Sequence, residues 1–378
     1  MTDLVVVSLE RWDEVWRRNQ HLVAGLLRRD PQLRVLFVEP AADPLYDLRE
    51  RRRPRRGRGV RASPEPGLVG RLWTYQPTKP LPRRLDPRAD RRIAHGVRRT
   101  AARLGFDRPV LWINDPAGAV LLRLTGWPAL YDITDDWLEA DRTPAEHARL
   151  VEHEAALMRG CGEIVVCSPR LERTKGAARA VTLVPNAVDV AAYRRPRPRP
   201  ADLPPGPTAV YVGTVHRDRI DVDLCLTTAR LLGAEGRLVL VGPAPLSAAD
   251  RGALVSAGVV LLGSRPASEV PAYLQHADVL VVPHVVTPFT MSLDPIKRYE
   301  YAAVGRPVVS TPVTGFADAG DARVTIAVGD DFAYALRQEM RRARPFPAGA
   351  DQPVDGWDER VTRMAGVIER VRRAATPR

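Results

Sequence analysis

Residues 279–310, VLVVPHVVTPFTMSLDPIKRYEYAAVGRPVVS, decide the fold. An apolar run over 279–283 leads into a loop over 284–293, then into a stretch marked at both ends. Asp294 suits an N-cap, Pro295 the first helical position and Gly305 the C-terminal cap. A second apolar run, 307–310, follows at once. Strand, helix and strand joined this closely form a βα unit of a parallel sheet. Parallel neighbours need a crossover, and strands covered on both faces read as unbroken Val/Leu/Ile runs. Lys297 then falls in the first helical turn, where a cation opposes the helix dipole at a cost of about 0.3–1 kcal/mol. The chain has 57 basic residues, of which only Lys79, Lys175 and Lys297 are lysines. A lysine spent against a dipole beside a strand-end loop points to a phosphate held at the helix tip. Glu300, one turn further on the same face, can accept two ribose hydroxyls. The competing reading is an i,i+3 surface ion pair between the two side chains.

The same alternation extends outward in both directions. Runs at 209–213, 237–242, 259–263 and 324–327 read as further strands of this half. In the other half 4–8, 34–39, 110–114, 129–133 and 163–168 read as strands, with helices over 16–29 and 144–159. The expected class is therefore α/β, with two Rossmann-like, doubly wound parallel-sheet domains facing a cleft. Residues 41–92, rich in Pro, Gly and Arg, are the least regular part and read as loops. The segment YRRPRPRPADLPPGP at 193–207 is too rich in proline for a helix or a central strand, and reads as a linker. The expected domains are residues 1–192 and 208–350. Residues 351–378 form a C-terminal helix that returns to the first domain through Val361, Met364, Val367, Ile368 and Val371.

With 378 residues, 45% apolar and 27% charged, the chain has enough apolar material for two cores and does not read as a disordered tail. Three cysteines without a C-x-x-C pair encode neither a disulfide framework nor a thiolate zinc site. No signal peptide or spanning run is visible, and a cytoplasmic location is expected. Net charge is +12, with arginines concentrated in 49–61 and again in 83–103. A solvated loop, an anionic membrane surface and nucleic acid are the three readings of such runs. Nucleic acid is the weakest, because no aromatic residues interleave for stacking and no reading helix accompanies the runs. Peripheral contact with the inner membrane surface stays open beside the solvated loop.

The stretch DPIKRYEYAAVGRPVVSTP resembles the P-x-K-x-x-E-Y-x-A-x-G-x-P-V-V signature of the nucleotide-sugar-binding domain in glycosyltransferases of the two-Rossmann-domain (GT-B) class. The likeness is strongest to the retaining enzymes of family 4. Other segments are similar in the same order: LVPNAVD at 183–189, AVYVGTV at 209–215, LVLVGPAP at 238–245 and VLLGSRPASEVPAYLQHADVLVVP at 260–283. WDEVWRRNQHLVAGLLRRDPQLRVLFVEP at 12–40 and YDITDDW at 131–137 resemble a bacterial subgroup related to teichuronic acid glycosyltransferases.

The resemblance implies transfer of a sugar, with retention, from a nucleoside diphosphate to an acceptor hydroxyl or amine on a small molecule, glycan or lipid-linked chain. The nucleotide sugar is a co-substrate, no cofactor or metal is expected, and nucleic acid is not a partner. Lys297 would neutralise the diphosphate, Glu300 hold the ribose and Gly213 admit the phosphates. Thr290, Met291 and Ser292 would donate backbone N–H groups, and Arg265 would meet the base. Ser292 stands where the family commonly has an acidic residue. The usual Arg and Lys after the glycine turn are missing from GTVHRDRID, which leaves His216 and Arg217 as candidates for a second phosphate cation. Asp221 and Asp223 have the spacing of a D-x-D metal motif, but they open a helical run and read as capping residues. On the acceptor side Asp115 and Asp136 follow strands and read either as acceptor-orienting carboxylates or as turn caps. Trp12, Arg17, Gln20 and His21 surround the first strand-to-helix turn and suit a carbohydrate. A nucleotide-sugar 2-epimerase and a non-catalytic carbohydrate- or polyanion-binding protein on the same scaffold are the alternatives.

Overall fold

The computed structural model describes residues 3–13, 16–49, 51–65, 67–317, 320–342 and 353–375. The chain divides into two compact units, the first made of Met1–Pro185 with Asp358–Arg378 and the second of Asn186–Trp357. The first unit carries β1 (Asp3–Val7), β2 (Arg34–Val38), β3 (Gly59–Ala62), β4 (Leu72–Gln76), β5 (Val110–Ile113), β6 (Ala129–Ile133), β7 (Glu163–Val166) and β8 (Thr182–Leu183). They form one sheet in the order β3-β4-β2-β1-β5-β6-β7-β8. Every pairing is parallel except β3 with β4. Leu4, Val5 and Val6 are fully buried, as expected for a central strand covered on both faces.

The second unit carries β9 (Thr208–Val212), β10 (Arg237–Val241), β11 (Val260–Gly263), β12 (Val279–Val282), β13 (Val308–Ser310) and β14 (Val324–Ile326). Its sheet runs β11-β10-β9-β12-β13-β14 and is parallel throughout. The α/β class with two doubly wound parallel sheets is thus what the chain adopts. In each sheet the winding reverses at the first strand, β1 or β9, whose two neighbours belong to opposite halves. Ligand crevices form at such switch points, outside the carboxyl ends of the strands.

Three organisational details differ from expectation. The division falls after Pro185 and not after residue 192. Asn186 explains it: its N–H donates to Asp294 Oδ2 at 2.6 Å and its Nδ2 to the Asp294 carbonyl at 2.5 Å, which ties it to the second unit. The segment 193–207 belongs to that unit as well. Gln275 Nε2 donates to the carbonyls of Tyr193 and Arg195, and Gln275 Oε1 accepts from the Arg197 N–H, so the proline-rich stretch is laid along the unit instead of hanging free. Within 41–92, β3 and β4 form the outer edge of the first sheet. The boundary expected at 350/351 lies outside the described residues. The helix Trp357–Ala374 belongs from Asp358 onward to the first unit. There Val361 packs so tightly over Gly25 that a Cβ on that glycine would lie 2.3 Å from Val361 Cγ2. Arg370 bridges to Glu163 at 2.8 Å.

Candidate functional site

In the second unit the loop after β9 and the loop after β12 are pinned together at the carboxyl ends of their strands. Ile220 and His284 form an antiparallel bridge, and the Val285 N–H donates to the Arg219 carbonyl at 2.9 Å. The helix Ile296–Val304 rises from the second loop, with Pro295 at its N-cap and Gly305, in the left-handed region, at its C-cap. Asp294 does not cap it. Its carboxylate accepts from the Asn186 N–H and from the Tyr299 hydroxyl at 3.1 Å, a long-range knot that outcompetes the local cap. No side chain caps this helix; the Arg298 N–H turns back to the Pro295 carbonyl at 2.9 Å, and the helix end keeps its positive partial charge.

Lys297 sits in that first turn. Its Nζ lies 5.0 Å above the centre of the Tyr211 ring and, among the described residues, makes no hydrogen bond or ion pair. Its pKa falls from 10.5 to about 8, first because burial penalises the ammonium and then because Arg219 repels it, outweighing the pull of Glu300. The surface ion pair with Glu300 does not form. Glu300 Oε1 instead accepts from the Tyr193 hydroxyl at 2.5 Å, and burial raises its pKa. Gly213 adopts φ +150°, and a Cβ there would lie 2.9 Å from the Tyr211 hydroxyl and 3.1 Å from Lys297 Nζ. The backbone therefore passes the lysine as closely as only glycine allows.

Several expected contributors are engaged elsewhere. Thr290, Met291 and Ser292 end a one-turn helix, Pro288–Ser292, capped by Thr287. The Thr290 and Met291 N–H groups donate to the Thr287 hydroxyl and carbonyl, so they are not offered to a ligand. The Ser292 hydroxyl, buried, donates to the Phe289 carbonyl at 2.7 Å. Arg217 grips Asp250 at 3.0 Å on the surface, and His216 faces Asp218 at 2.6 Å. Arg265 is bound to Asp202 and to the Tyr273 hydroxyl, which leaves it shared among protein groups. Asp221 caps the helix Val222–Leu232 by accepting from the Leu224 N–H at 2.9 Å.

Two residues at the site were not singled out in the sequence. Arg219 lies over the Phe289 ring at 5.8 Å and is close enough to depress the pKa of both Lys297 and His284. It is the third basic residue of the same loop, and only the Ile220–His284 bridge distinguishes it from its neighbours. His284 is buried with Nε2 3.3 Å from the Tyr211 hydroxyl. Burial, Lys297 and Arg219 together push its pKa well below 6.5, so it is neutral beside the cations.

In the first unit the carboxyl ends of β5 and β6 hold a buried polar network. Arg18 donates to both oxygens of fully buried Asp132, at 3.1 and 3.2 Å, and Trp112 Nε1 adds a third bond. Asn19 joins Ser8 and Asn114 beside it. Asp136 is held by Lys175 at 2.9 Å, and Lys175 also reaches Glu154 at 2.7 Å, all three buried. The expected acceptor-orienting carboxylate Asp136 is thus a member of a buried ion-pair cluster. Asp115 accepts from the Ala117 N–H at 2.9 Å as a cap, and burial raises its pKa. Trp12, Arg17, Gln20 and His21 do gather at the start of the helix Arg18–Arg29. Gln20 is fully buried and spent on the Arg11 carbonyl and the Arg17 N–H. Trp12 Nε1 donates to Glu65, and the His21 ring meets Trp16 at 5.2 Å. Among the described residues no three His, Cys, Asp or Glu side chains come together as metal ligands, and no helix is long and apolar enough to cross a membrane.

The chain is similar to known proteins in sequence and in fold. Residues 206–342 match the family model "Glycosyl transferases group 1". Over 229 residues the chain is 24% identical to TuaH of Bacillus subtilis (strain 168), provisionally named as a teichuronic acid biosynthesis glycosyltransferase. The match covers 56% of this chain and spans 57% of the length of that relative. Among solved structures, sucrose-phosphate synthase from Thermosynechococcus elongatus superposes with a TM-score of 0.68 at 17% identity, over 99% of this chain and 100% of its own. The catalytic domain of starch synthase IV from Arabidopsis thaliana, bound to ADP and acarbose, gives 0.64 at 12% identity over 98% and 99%. HepE of Anabaena in complex with UDP-glucose gives 0.62 at 12% identity over 99% and 99%. The fold is the one these proteins share, the GT-B architecture. The family match covers most of the second unit, where the unpaired lysine lies.

Proposed function

We propose that this chain transfers a glycosyl unit from a nucleoside-diphosphate sugar to an acceptor hydroxyl or amine, with retention and without a metal. One observation carries the reading: Lys297 stands unpaired at the uncapped, positive end of a helix, at the carboxyl ends of β9 and β12. Burial, the helix dipole and Arg219 together outweigh the pull of Glu300 on the ammonium, and a diphosphate offsets all three at once. Departure of the sugar leaves negative charge on that diphosphate. Lys297, the first-turn N–H groups and Arg219 stabilise the charge where it develops, which lowers the barrier without a metal. Gly213 lets the backbone reach the phosphates, and Glu300, oriented by Tyr193, holds the ribose through its second oxygen.

Retention and membership of family 4 rest on the sequence signature around Lys297 and Glu300. Unit 1 supplies the acceptor site, with Asp115 the remaining candidate for orienting the acceptor. The TuaH likeness favours an envelope-polymer or lipid-linked acceptor, reached at the cytoplasmic face of an anionic membrane. The test is a panel of nucleotide sugars scored by thermal shift, since a ligand that binds only the folded form raises its melting temperature. The panel is followed by an assay for nucleoside-diphosphate release with and without acceptor. Release that requires acceptor separates transfer from 2-epimerisation. If no nucleotide sugar stabilises the protein, or if Lys297→Ala binds one as tightly as the wild type, the reading is wrong.

A further inference from the structure

The described arginines at 51–61 do not lie in a free loop, because their backbone is fixed at several points. Asp47 accepts the Arg55 N–H through Oδ2 at 3.0 Å, and its carbonyl accepts the Arg52 N–H at 2.7 Å. The Gly57 N–H donates to Thr78 Oγ1 at 2.8 Å, and a Cβ on Gly57 would lie 2.4 Å from the carbonyls of Gln76 and Pro77. Arg51 takes a left-handed φ of 55°, a strained conformation for a residue with a long side chain. These restraints hold the run around a cavity of ≈ 360 Å³ that Arg11, Arg52, Arg55, Arg56 and Arg58 line. The cavity opens beyond β1, β2 and β4 at their carboxyl ends: Arg11 follows β1, Asp43 follows β2, and Gln76 ends β4.

The charges do not cancel. Arg58 chelates Glu39 at 2.7 Å, Lys79 neutralises Asp43 at 2.6 Å and Arg17 faces Asp13 at 3.6 Å. Among the described residues, the guanidinium groups of Arg11, Arg52, Arg55 and Arg56 make no ion pair or hydrogen bond. Asp13, Asp43 and Asp47 also line the pocket; with the first two paired to Arg17 and Lys79, the four arginines face Asp47 as the remaining carboxylate among the described residues, which raises the free energy of the empty pocket and lowers that of one holding an anion. Guanidinium forks fit phosphate oxygens best. The adjoining helix Pro44–Arg49 buries none of its residues and leaves Leu45, Tyr46 and Leu48 exposed at 38, 53 and 59%. A hydrocarbon leaving the phosphate has an apolar surface on which to lie.

We propose that this pocket binds a phosphate or diphosphate ester and so recognises the acceptor. The acceptor role rests on the transfer reading, whereas the anion chemistry stands apart from it. Inorganic pyrophosphate is titrated by calorimetry into the full chain, into Lys297→Ala and into the double variant Arg52→Gln/Arg55→Gln. All four of these substituted and neighbouring arginines are exposed, so the fold is retained. The expected pattern is a binding event kept in Lys297→Ala, weakened at least about tenfold in the arginine variant, and weaker as salt rises. An arginine variant that titrates like the wild type, or complete loss in Lys297→Ala, overturns the proposal. Co-sedimentation with phosphatidylcholine vesicles with and without phosphatidic acid identifies the source. Capture by phosphatidic acid that is lost in the arginine variant and competed by pyrophosphate assigns a lipid headgroup. Pyrophosphate binding without capture assigns a water-soluble phosphate ester, and equal capture of both proteins counts against the pocket. If no nucleotide sugar binds while the pyrophosphate pattern holds, the transfer reading falls and the phosphate pocket remains.

Discussion

The donor site proposed at Lys297 has a pH dependence of defined sign. In the free protein its pKa is about 8 against an ordinary 10.5, because burial and Arg219 penalise the ammonium. Carrying the charge at neutral pH therefore costs at most about 3.4 kcal/mol, an upper bound because the side chain keeps some solvent access. A diphosphate beside the ammonium reverses the penalty and returns the pKa to its ordinary range or above. Binding then takes up a proton wherever the free lysine is neutral. At pH 7 the free lysine is about nine-tenths protonated and at pH 9 about one-tenth, so affinity drops about tenfold, or about 1.4 kcal/mol, across that interval. His284 is neutral throughout, and ionisation of the nucleotide itself works in the opposite direction. Lys297→Met removes the effect and isolates it. Stability of the free protein moves the other way. The unfolded chain binds the extra proton between about pH 8 and 10.5, so the wild type gains stability relative to Lys297→Met as pH rises through that window. The assay is calorimetric titration of the best-binding nucleoside diphosphate at pH 7, 8 and 9, in two buffers of different ionisation enthalpy. Equal affinity at pH 7 and 9, heats that ignore the buffer, or a Lys297→Met variant that follows the wild-type profile would refute the placement of the phosphate against this amine.

Gly213→Ala puts a methyl group within 3.1 Å of Lys297 Nζ and into a backbone conformation that alanine resists. The expected result is about 1–2 kcal/mol of lost stability by urea denaturation, together with about tenfold weaker nucleotide binding. A variant that loses neither disproves the close approach. Asp132→Ala strands the Arg18 guanidinium, 4% exposed, with its carboxylate gone. Breaking one side of such a buried pair costs about 3–5 kcal/mol. A urea midpoint within experimental error of the wild type would show the network to be dispensable.

How far the sequence carries depends on the range over which each structural choice is made. Strand cores were legible because burial on both faces forces continuous apolar runs, and β6 and β12 begin where those runs begin. The strand β3 was not: it is mostly exposed, and its Gly-Val-Arg-Ala sequence has no pattern to detect. The left-handed cap at Gly305 was readable, since one residue type solves one local problem. The Asp294 cap was misread because a partner 108 residues away claimed the carboxylate. The proline-rich segment was read correctly as neither helix nor central strand. Its adhesion to the second unit depends on Gln275, far along the chain.

The three lysines show the same limit at the level of chemistry. Lys175 is buried and Lys297 largely withdrawn from water, but the first lies in the last turn of its helix and the second in the first turn. Lys175 meets Asp136 and Glu154, which lie 39 and 21 residues before it, and the two carboxylates more than repay its burial, so its pKa rises. Lys297 meets an aromatic ring, a glycine turn and a neighbouring arginine, and its pKa falls. Its exceptional position was visible in advance only because it also breaks a local rule, a cation at the positive end of a helix, which needs no distant partner to recognise. A basic residue that violates the local preference and is also denied a counter-ion by the fold is unstable twice over. An anionic ligand is the agent that removes both penalties together. Arg217 already has its counter-ion in Asp250, and His216 contacts Asp218 and accepts its N–H, so a diphosphate gains less from them.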